Sequence, residues 1–212
     1  MKVIVFDLDG TIVNTIYDIG NCMNKALVHF GYNEHPLPKY SEFIGEGVLV
    51  MTRRAIGLDV DDDTVQKVVD YYNEIYKDNC TNLSKPFDNM IETLDSLISK
   101  GYKLAVISNK PDRDTKKIVN HYFGDRFFYI AGSKVGVARK PNPEAMQLFM
   151  KEYNLTVDDI TYVGDSRYDA QFSINSNVKY YLYEYGYDKK EIIHSYNPVA
   201  FLNESTDLLK YL

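Results

Sequence analysis

Two aspartates stand directly behind the first apolar run of the chain and are the strongest candidates for chemistry. Residues 3–6 (VIVF) read as a buried strand, and Asp7 and Asp9 follow at alternate positions, before Gly10 and Thr11. In open α/β sheets, ligands bind at the carboxyl ends of the strands. A carboxylate pair there can supply a nucleophile, a proton carrier and oxygen ligands for a hard cation. The pentapeptide alone leaves open an ordinary Asp-Gly turn with solvated carboxylates.

Three more polar groups follow predicted strands: residues 108–110 (SNK), Lys140, and residues 164–169 (GDSRYD). Singly, each has an ordinary explanation: a helix cap for Ser108, a solvated loop charge for Lys140, and a turn for the glycine-led segment. Together they add a hydroxyl, helix N-terminal amides, a cation and further carboxylates to the first pair. That combination suits phosphoryl transfer, which depends on positioning and charge neutralisation.

The elements that must position these groups alternate between helix and strand after residue 86. Apolar runs predict strands at 102–107, 127–131, 160–163 and 178–183, and helical spacing predicts helices at 88–99, 111–122, 143–153, 168–175 and 207–211. Such alternation predicts an α/β fold with a parallel sheet and helices on both faces. The candidate groups would then meet at one edge of the sheet.

The segment from residue 14 to residue 85 interrupts this alternation, because it reads as helical throughout. Helices are predicted at 16–30 and 48–56 and from an aspartate-rich cap at 61–63 to about residue 76. We therefore expect two domains, a core of residues 1–13 and 86–212 and an inserted helical cap of residues 14–85. The double linker between them would permit hinge closure.

Composition bounds the partners and the setting. The 212 residues include 45% hydrophobic and 25% charged residues and carry a net charge of −6, which is typical of a globular protein and weakly disfavours nucleic acid or an anionic membrane as a partner. Cys22 and Cys80 offer no disulfide framework, and Met1 and Lys2 lead into a strand without a signal peptide. We expect a cytoplasmic protein without a membrane span, as a monomer or weak homodimer.

Four motifs resemble those of the haloacid dehalogenase superfamily: residues 7–11 (DLDGT), 107–111 (ISNKP), 140–144 (KPNPE) and 164–169 (GDSRYD). The resemblance covers essentially the whole chain, and the inserted helical segment is similar to the cap of the phosphoglycolate phosphatase-like branch. It implies a Rossmann-like parallel-sheet core with a small all-helical cap domain. It further implies Mg²⁺-dependent hydrolysis of a small phosphorylated metabolite, a phosphoglycolate-like phosphomonoester, through an aspartyl-phosphate intermediate.

The same resemblance implies a role for each motif residue. Asp7 would be the nucleophile and Asp9 the general acid/base. The residues that would bind phosphate are Ser108, Asn109 and Lys140. The residues that would hold the metal ion are Asp7, Asp9 through its backbone carbonyl, and Asp165, with Asp169 in support.

A glycine-flanked loop inside the insertion, Gly45-Glu46-Gly47, precedes a predicted helix. No strand precedes it and a third glycine is missing, so it is not a dinucleotide-binding fingerprint. The resemblance implies that this loop faces the phosphate site and contributes to substrate choice. A plain turn before a helix explains it equally well.

Three alternative functions remain open. A phosphomutase of the β-phosphoglucomutase type is disfavoured by Thr11, because such mutases more often resemble Asp-Gly-Val there. A pyrophosphatase or nucleotidase of the same superfamily is compatible with every motif. A non-catalytic phosphate-binding module is disfavoured by the complete set of reactive groups: Asp7, Asp9, Ser108, Lys140 and Asp165.

Overall fold

Two units make up the chain, which the computed structural model describes over all residues from Met1 to Leu212. The first unit consists of Met1–Val13 and Pro86–Leu212, and the second of Asn14–Lys85. The first unit contains a six-stranded sheet and the second is helical. None of the helices combines the length and the apolar character needed to cross a membrane.

The strands, numbered along the chain, are β1 (Val3–Phe6), β2 (Val13–Asn14), β3 (Lys85–Pro86), β4 (Lys103–Pro111), β5 (Phe127–Ser133), β6 (Ile160–Gly164), β7 (Lys179–Tyr183) and β8 (Phe201–Leu202). The six-stranded sheet has the order β5-β4-β1-β6-β7-β8, and β2 and β3 pair separately. All five pairings within the large sheet are parallel. The predicted α/β class with a parallel sheet is confirmed.

The helices are α1 (Ile16–His29), α2 (Val48–Ile56), α3 (Asp62–Asn79), α4 (Met90–Ser99), α5 (Asp112–Phe123), α6 (Glu144–Tyr153), α7 (Arg167–Asn175) and α8 (Lys190–Ile193). Short 3₁₀ segments lie at Leu37–Glu42, Val157–Asp159 and Ser205–Lys210. The first three helices belong to the second unit and the other five to the first.

The first strand holds the central position that brings the candidate groups together. All four residues of β1 are buried, as expected for a parallel strand covered on both faces. Phe6, the last residue of β1, lies opposite Val106 of β4 and Val163 of β6. β6 ends one residue later, whereas β4 continues to Pro111. The Asp7 amide continues the ladder by donating to the Val163 carbonyl at 2.9 Å. Since the chain leaves β1 towards β4 and later returns to its other side at β6, this edge is a topological switch point.

One face of the sheet packs against α6 and α7 in a continuous apolar layer. Val5, Ile107 and Tyr162 come from the three central strands, and Phe149 and Phe172 come from the two helices. Every one of these side chains is at most 2% exposed. Removing such burial is costly, at about 3–5 kcal/mol for a phenylalanine truncated to alanine. This layer supplies the rigid support beneath the strand ends.

The structure differs from the sequence prediction at the end of the fourth strand. We predicted a strand that ends at residue 107, with a helix cap as the ordinary explanation of Ser108, whereas β4 continues to Pro111. Pairing with β5 resumes beyond an irregularity, with Pro111 opposite Ser133. The helix α5 begins only at Asp112, so Ser108 is not its cap. The backbone pairing of two adjacent strands overrides the local tendency of serine to begin a helix.

Smaller differences lie near the C-terminus. The predicted helix at residues 207–211 is a 3₁₀ segment at Ser205–Lys210, and neither α8 nor β8 was predicted. The latter two elements are four and two residues long, which is too short for a periodic pattern to be visible.

The helical unit is held by packing of its long helices and by one buried carboxylate. Contacts join α1 to α3 and α2 to α3. Asp61 caps α3 as predicted, accepting from the Thr64 amide at 2.9 Å. Asp18 of α1 accepts hydrogen bonds from the amides of Leu83 and Ser84 at 2.9 and 2.8 Å. The last residues of the unit are therefore tied to its first helix.

Candidate active site

Three buried carboxylates converge at the carboxyl edge of the sheet. Asp7 follows β1, Asp165 follows β6, and Asp169 lies in the first turn of α7. One carboxylate oxygen from each falls within 4.8 Å of the others, and all three residues are buried. The strand order brings together the first motif and the last, which are more than 150 residues apart.

Lys140 lies among these carboxylates. Its ammonium is 2.8 Å from Asp7 Oδ1, 2.6 Å from Asp169 Oδ1 and 2.9 Å from the Tyr162 hydroxyl. The contacts with Asp169 and Tyr162 are hydrogen bonds, and the contact with Asp7 is an ion pair. The side chain is only 3% exposed, so the ordinary interpretation of Lys140 as a solvated loop charge is wrong. The reason is the parallel sheet, which places the loop after β5 beside the ends of β1 and β6.

Burial and charge set the protonation of this cluster. Burial raises the pKa of Asp7 to about 6, although the Lys140 ammonium opposes the shift. Burial also raises the pKa of Asp165 well above its ordinary value, reinforced by the charges of Asp169 and Asp7. For Asp169 the ammonium and the hydrogen bonds outweigh burial, so its pKa is lowered. Likewise, the two carboxylates outweigh burial at Lys140 and keep the pKa of its ammonium above the usual value.

Asp165 is held by groups from two distant loops. Its Oδ1 accepts from the Thr11 hydroxyl at 2.6 Å, and its Oδ2 accepts from the Tyr187 amide at 2.8 Å. Gly10 and Gly186 lie so close that an added Cβ would be 2.4 and 2.3 Å from Asp165 Oδ2. Both glycines are therefore required by the packing of this carboxylate. The residues after β7 belong to none of the sequence motifs, and sequence reasoning missed them.

Asp169 uses both of its oxygens within the protein. Oδ1 accepts from Lys140 and, at 3.0 Å, from the Tyr162 hydroxyl. Oδ2 accepts from the Ser166 hydroxyl at 2.6 Å and from the amides of Ser166 and Asp165 at 3.1 and 3.2 Å. Ser166 and Asp169 thereby form the capping box of α7. Both carboxylates of the last motif are thus engaged within the protein, since Asp165 also accepts through both of its oxygens.

The side chain of Asp9 is not one of the three clustered carboxylates and has its own cationic partner. Its two oxygens are 3.0 and 3.2 Å from the ammonium of Lys110, whose side chain is 4% exposed. The Asp9 side chain is 19% exposed and that of Asp7 11%, so Asp9 is the more accessible of the two aspartates in the first motif. Lys110 stood inside a recognised motif, but sequence reasoning gave it no role. Only the pairing of β1 with β4 reveals the contact.

The two remaining residues predicted to bind phosphate lie on β4. Ser108 is buried in the second half of the strand. The side-chain amide of Asn109 donates to the Lys140 carbonyl at 3.0 Å and accepts from the Lys140 amide at 2.8 Å. Asn109 thus fixes the backbone of Lys140. Direct contact of either residue with phosphate stays a prediction.

The glycine-flanked loop lies in the helical unit. Gly45 and Gly47 have φ values of 111° and 94°, which disfavour any residue with a Cβ, and Gly47 immediately precedes α2. Glu46 pairs with Arg54 of the same unit. The loop is therefore a turn that depends on its two glycines and leads into a helix. Its role in substrate choice stays a prediction.

The residues present fit a hard divalent cation. Asp7, Asp165 and Asp169 offer only oxygen donors, as Mg²⁺ and Ca²⁺ require. Three carboxylates face one ammonium, and burial already disfavours their ionised forms. A cation would offset the excess negative charge. Asp7, Asp165 and Asp169 are the residues that could hold it.

The family of the chain follows from comparison with known proteins. The family model described as haloacid dehalogenase-like hydrolase matches residues 4–183. The chain belongs to this family, and the resemblance noted from its motifs is confirmed.

Within this family, the chain is similar to several phosphoglycolate phosphatases. A phosphoglycolate phosphatase of Haemophilus influenzae is 30% identical, over 100% of this chain and 98% of its own. One of Aliivibrio fischeri is 28% identical, over 100% and 96%. The crystal structure of a predicted phosphoglycolate phosphatase from Haemophilus somnus has a TM-score of 0.92 at 28% identity, over 99% of this chain and 97% of its own. The chain is accordingly an enzyme, a phosphoric monoester hydrolase.

Proposed function

We propose that this phosphatase hydrolyses a small phosphomonoester of the phosphoglycolate type, with Asp7 as nucleophile and Mg²⁺ as cofactor. One observation carries the proposal: the Asp7 carboxylate lies at the end of the central strand, 2.8 Å from a buried ammonium and beside two further carboxylates. The names of the relatives support the substrate class.

The proposed reaction has two steps. A carboxylate oxygen of Asp7 forms a bond to phosphorus, and the ester oxygen leaves with a proton from Asp9. Water then attacks the phosphorus of the aspartyl phosphate while Asp9 takes a proton from it, which releases inorganic phosphate and restores the Asp7 carboxylate. Asp9 suits this role because it is the more exposed carboxylate and lies two residues from the nucleophile.

Charge neutralisation falls to the groups around Asp7. Lys140 would offset the charge on the phosphoryl oxygens, and Ser108 and Asn109 in the second half of β4 would orient them. Asp7, Asp165 and the Asp9 backbone carbonyl would hold Mg²⁺, with Asp169 in support through Lys140 and Ser166. When bound, the ion supplies positive charge that reduces the repulsion between an anionic ester and an anionic nucleophile.

The experiment combines turnover with trapping of the intermediate. Phosphate release from phosphoglycolate and from p-nitrophenyl phosphate is measured with Mg²⁺ and with excess chelator. Asp7→Asn should abolish turnover of both esters. Activity within about tenfold of the wild type, a barrier change of only ~1.4 kcal/mol, would contradict the nucleophile assignment.

Trapping tests the intermediate itself. Asp9→Asn should slow its hydrolysis, so that acid-quenched protein carries a phosphate adduct on the peptide containing Asp7. Asp7→Asn is the matched control and should carry none. An adduct elsewhere, or full activity in chelator, would contradict the mechanism or the cofactor respectively. Incubation with a sugar phosphate and a bisphosphate primer checks the phosphomutase alternative.

The proposal also includes a role for the helical unit: it acts as a cap that selects the substrate. Valine at Gly45 or Gly47 would strain the backbone at positive φ, so Glu46→Gln is the sharper variant. It should change kcat/KM for phosphoglycolate more than for p-nitrophenyl phosphate, which needs only the core. Equal effects on both esters would contradict a role of the loop in substrate choice and would show that it serves only as a structural turn. A cytoplasmic location and a monomer or weak homodimer are also part of this proposal.

A further inference from the structure

The loop after β7 reaches the carboxylate cluster from outside every recognised motif. Residues 184–189 connect β7 to α8, and the loop consists of the first five of them, 184–188. Within this loop the Tyr187 amide donates to Asp165 Oδ2 at 2.8 Å, and the Tyr185 hydroxyl donates to the Thr11 carbonyl at 2.9 Å. Thr11 in turn donates to Asp165 Oδ1 at 2.6 Å. The loop therefore contacts Asp165 directly and through one intermediary.

The far end of the loop is fastened to α7 by a two-pronged ion pair. Arg167 Nε and a terminal nitrogen of its guanidinium lie 2.8 and 2.6 Å from the two oxygens of Asp188. The Arg167 amide also donates to Asp188 at 3.0 Å. The Asp188 side chain is 9% exposed and that of Arg167 44%, so the carboxylate is shielded from water while the guanidinium is not. The two parallel contacts fix the orientation of the pair.

Close packing makes the position of the loop matter to Asp165. A Cβ on Gly186 would lie 2.2 Å from Asp165 Cβ and 2.3 Å from its Oδ2. Such a contact leaves no room for the loop to approach further. The position of the loop and that of the carboxylate are therefore coupled.

We propose that residues 184–188 form a positioning element for Asp165 as a metal ligand, and that the Arg167–Asp188 pair clamps this element in place. The inference rests on the proposed metal site. Arg167 and Asp188 are positioning residues, since neither contacts the reacting groups. Groups that orient metal ligands typically account for about 10–100-fold in metal affinity.

The chain offers a matched control for the clamp. Arg126 and Asp95 form an ion pair of the same two-pronged geometry, at 2.7 and 2.9 Å, between α4 and the turn before β5. Asp188→Asn and Asp95→Asn each remove one carboxylate charge from such a pair. Only the former should affect the metal site.

The experiment measures Mg²⁺ binding by calorimetry and the Mg²⁺ concentration that half-activates phosphate release, alongside the melting temperature. Asp188→Asn should raise both Mg²⁺ values by about tenfold, while kcat recovers at saturating Mg²⁺. Asp95→Asn should leave them at the wild-type values. Gly186→Ala should weaken Mg²⁺ binding at least as much as Asp188→Asn, because its methyl group displaces Asp165 directly.

The outcomes separate the two proposals. Wild-type protein that neither binds nor needs Mg²⁺ would overturn the metal site and this inference with it. A wild type that depends on Mg²⁺, with Asp188→Asn matching Asp95→Asn, would overturn the clamp alone. If Asp188→Asn melts too low to measure, Gly186→Ala decides: unchanged Mg²⁺ binding in that variant would also overturn the inference.

Discussion

Replacement of Lys140 by methionine tests the charge balance of the site most directly. Methionine keeps much of the length and apolar bulk of lysine but removes the ammonium, leaving Asp7 and Asp169 without their shared cation. Removing one partner of a buried ion pair typically destabilises a protein by about 3–5 kcal/mol. At about 2–4 °C per kcal/mol for a chain of this size, metal-free Lys140→Met should melt roughly 6–20 °C below the wild type.

Mg²⁺ should reverse part of this loss. The ammonium occupies Asp7 Oδ1, so its removal frees a carboxylate oxygen and strengthens cation binding. A ligand at about 100 times its dissociation constant stabilises by about 2.7 kcal/mol, and tighter binding stabilises more. The gap in melting temperature between variant and wild type should therefore narrow when Mg²⁺ is added.

Thermal melting with and without Mg²⁺, together with kcat/KM, gives the assay. We expect kcat/KM to fall by about 10²–10³-fold, as for loss of one group that stabilises transition-state charge. Lys116→Met is the control: Lys116 is 47% exposed in an i,i+4 pair with Asp112, and its loss should cost less than about 0.5 kcal/mol. A Lys140→Met protein with the melting temperature of the Lys116→Met control and the kcat/KM of the wild type would refute the reasoning.

Three further predictions follow from single contacts. Lys110→Met should lower kcat by about tenfold or more and affect KM less, because Asp9 loses the partner that orients it. Lys110→Arg should retain more activity than Lys110→Met, and steady-state kinetics of both variants check this. Thr11→Val, nearly isosteric, should destabilise by about 1–3 kcal/mol in denaturant unfolding, because the buried Asp165 Oδ1 loses its donor. Asp18→Ala should destabilise the helical unit by a similar 1–3 kcal/mol or so, seen as faster amide exchange near residues 83 and 84, while turnover of p-nitrophenyl phosphate persists.

Much of the architecture is determined by local sequence. The apolar run at 3–6 and the later apolar runs are short, continuous and bounded by turns, which predicts buried strands. Their alternation with helices predicts a parallel sheet without tertiary information. Because parallel strands end at one edge, Asp7 and Asp165 could be predicted to meet. The helical character of the insertion is equally local.

The contacts that complete the site are decided by tertiary structure alone. The Lys110–Asp9 pair spans 101 residues and the Thr11–Asp165 hydrogen bond 154, and both depend on which strands lie beside β1. Strand order leaves no periodic trace in the sequence, because it is set by the packing of the whole sheet. The burial of Lys140 is not visible in the sequence for the same reason: a lysine becomes buried only when carboxylates from other segments surround it. The loop at 184–188 carries no motif, and only its hydrogen bonds and close packing against Asp165 connect it to the chemistry.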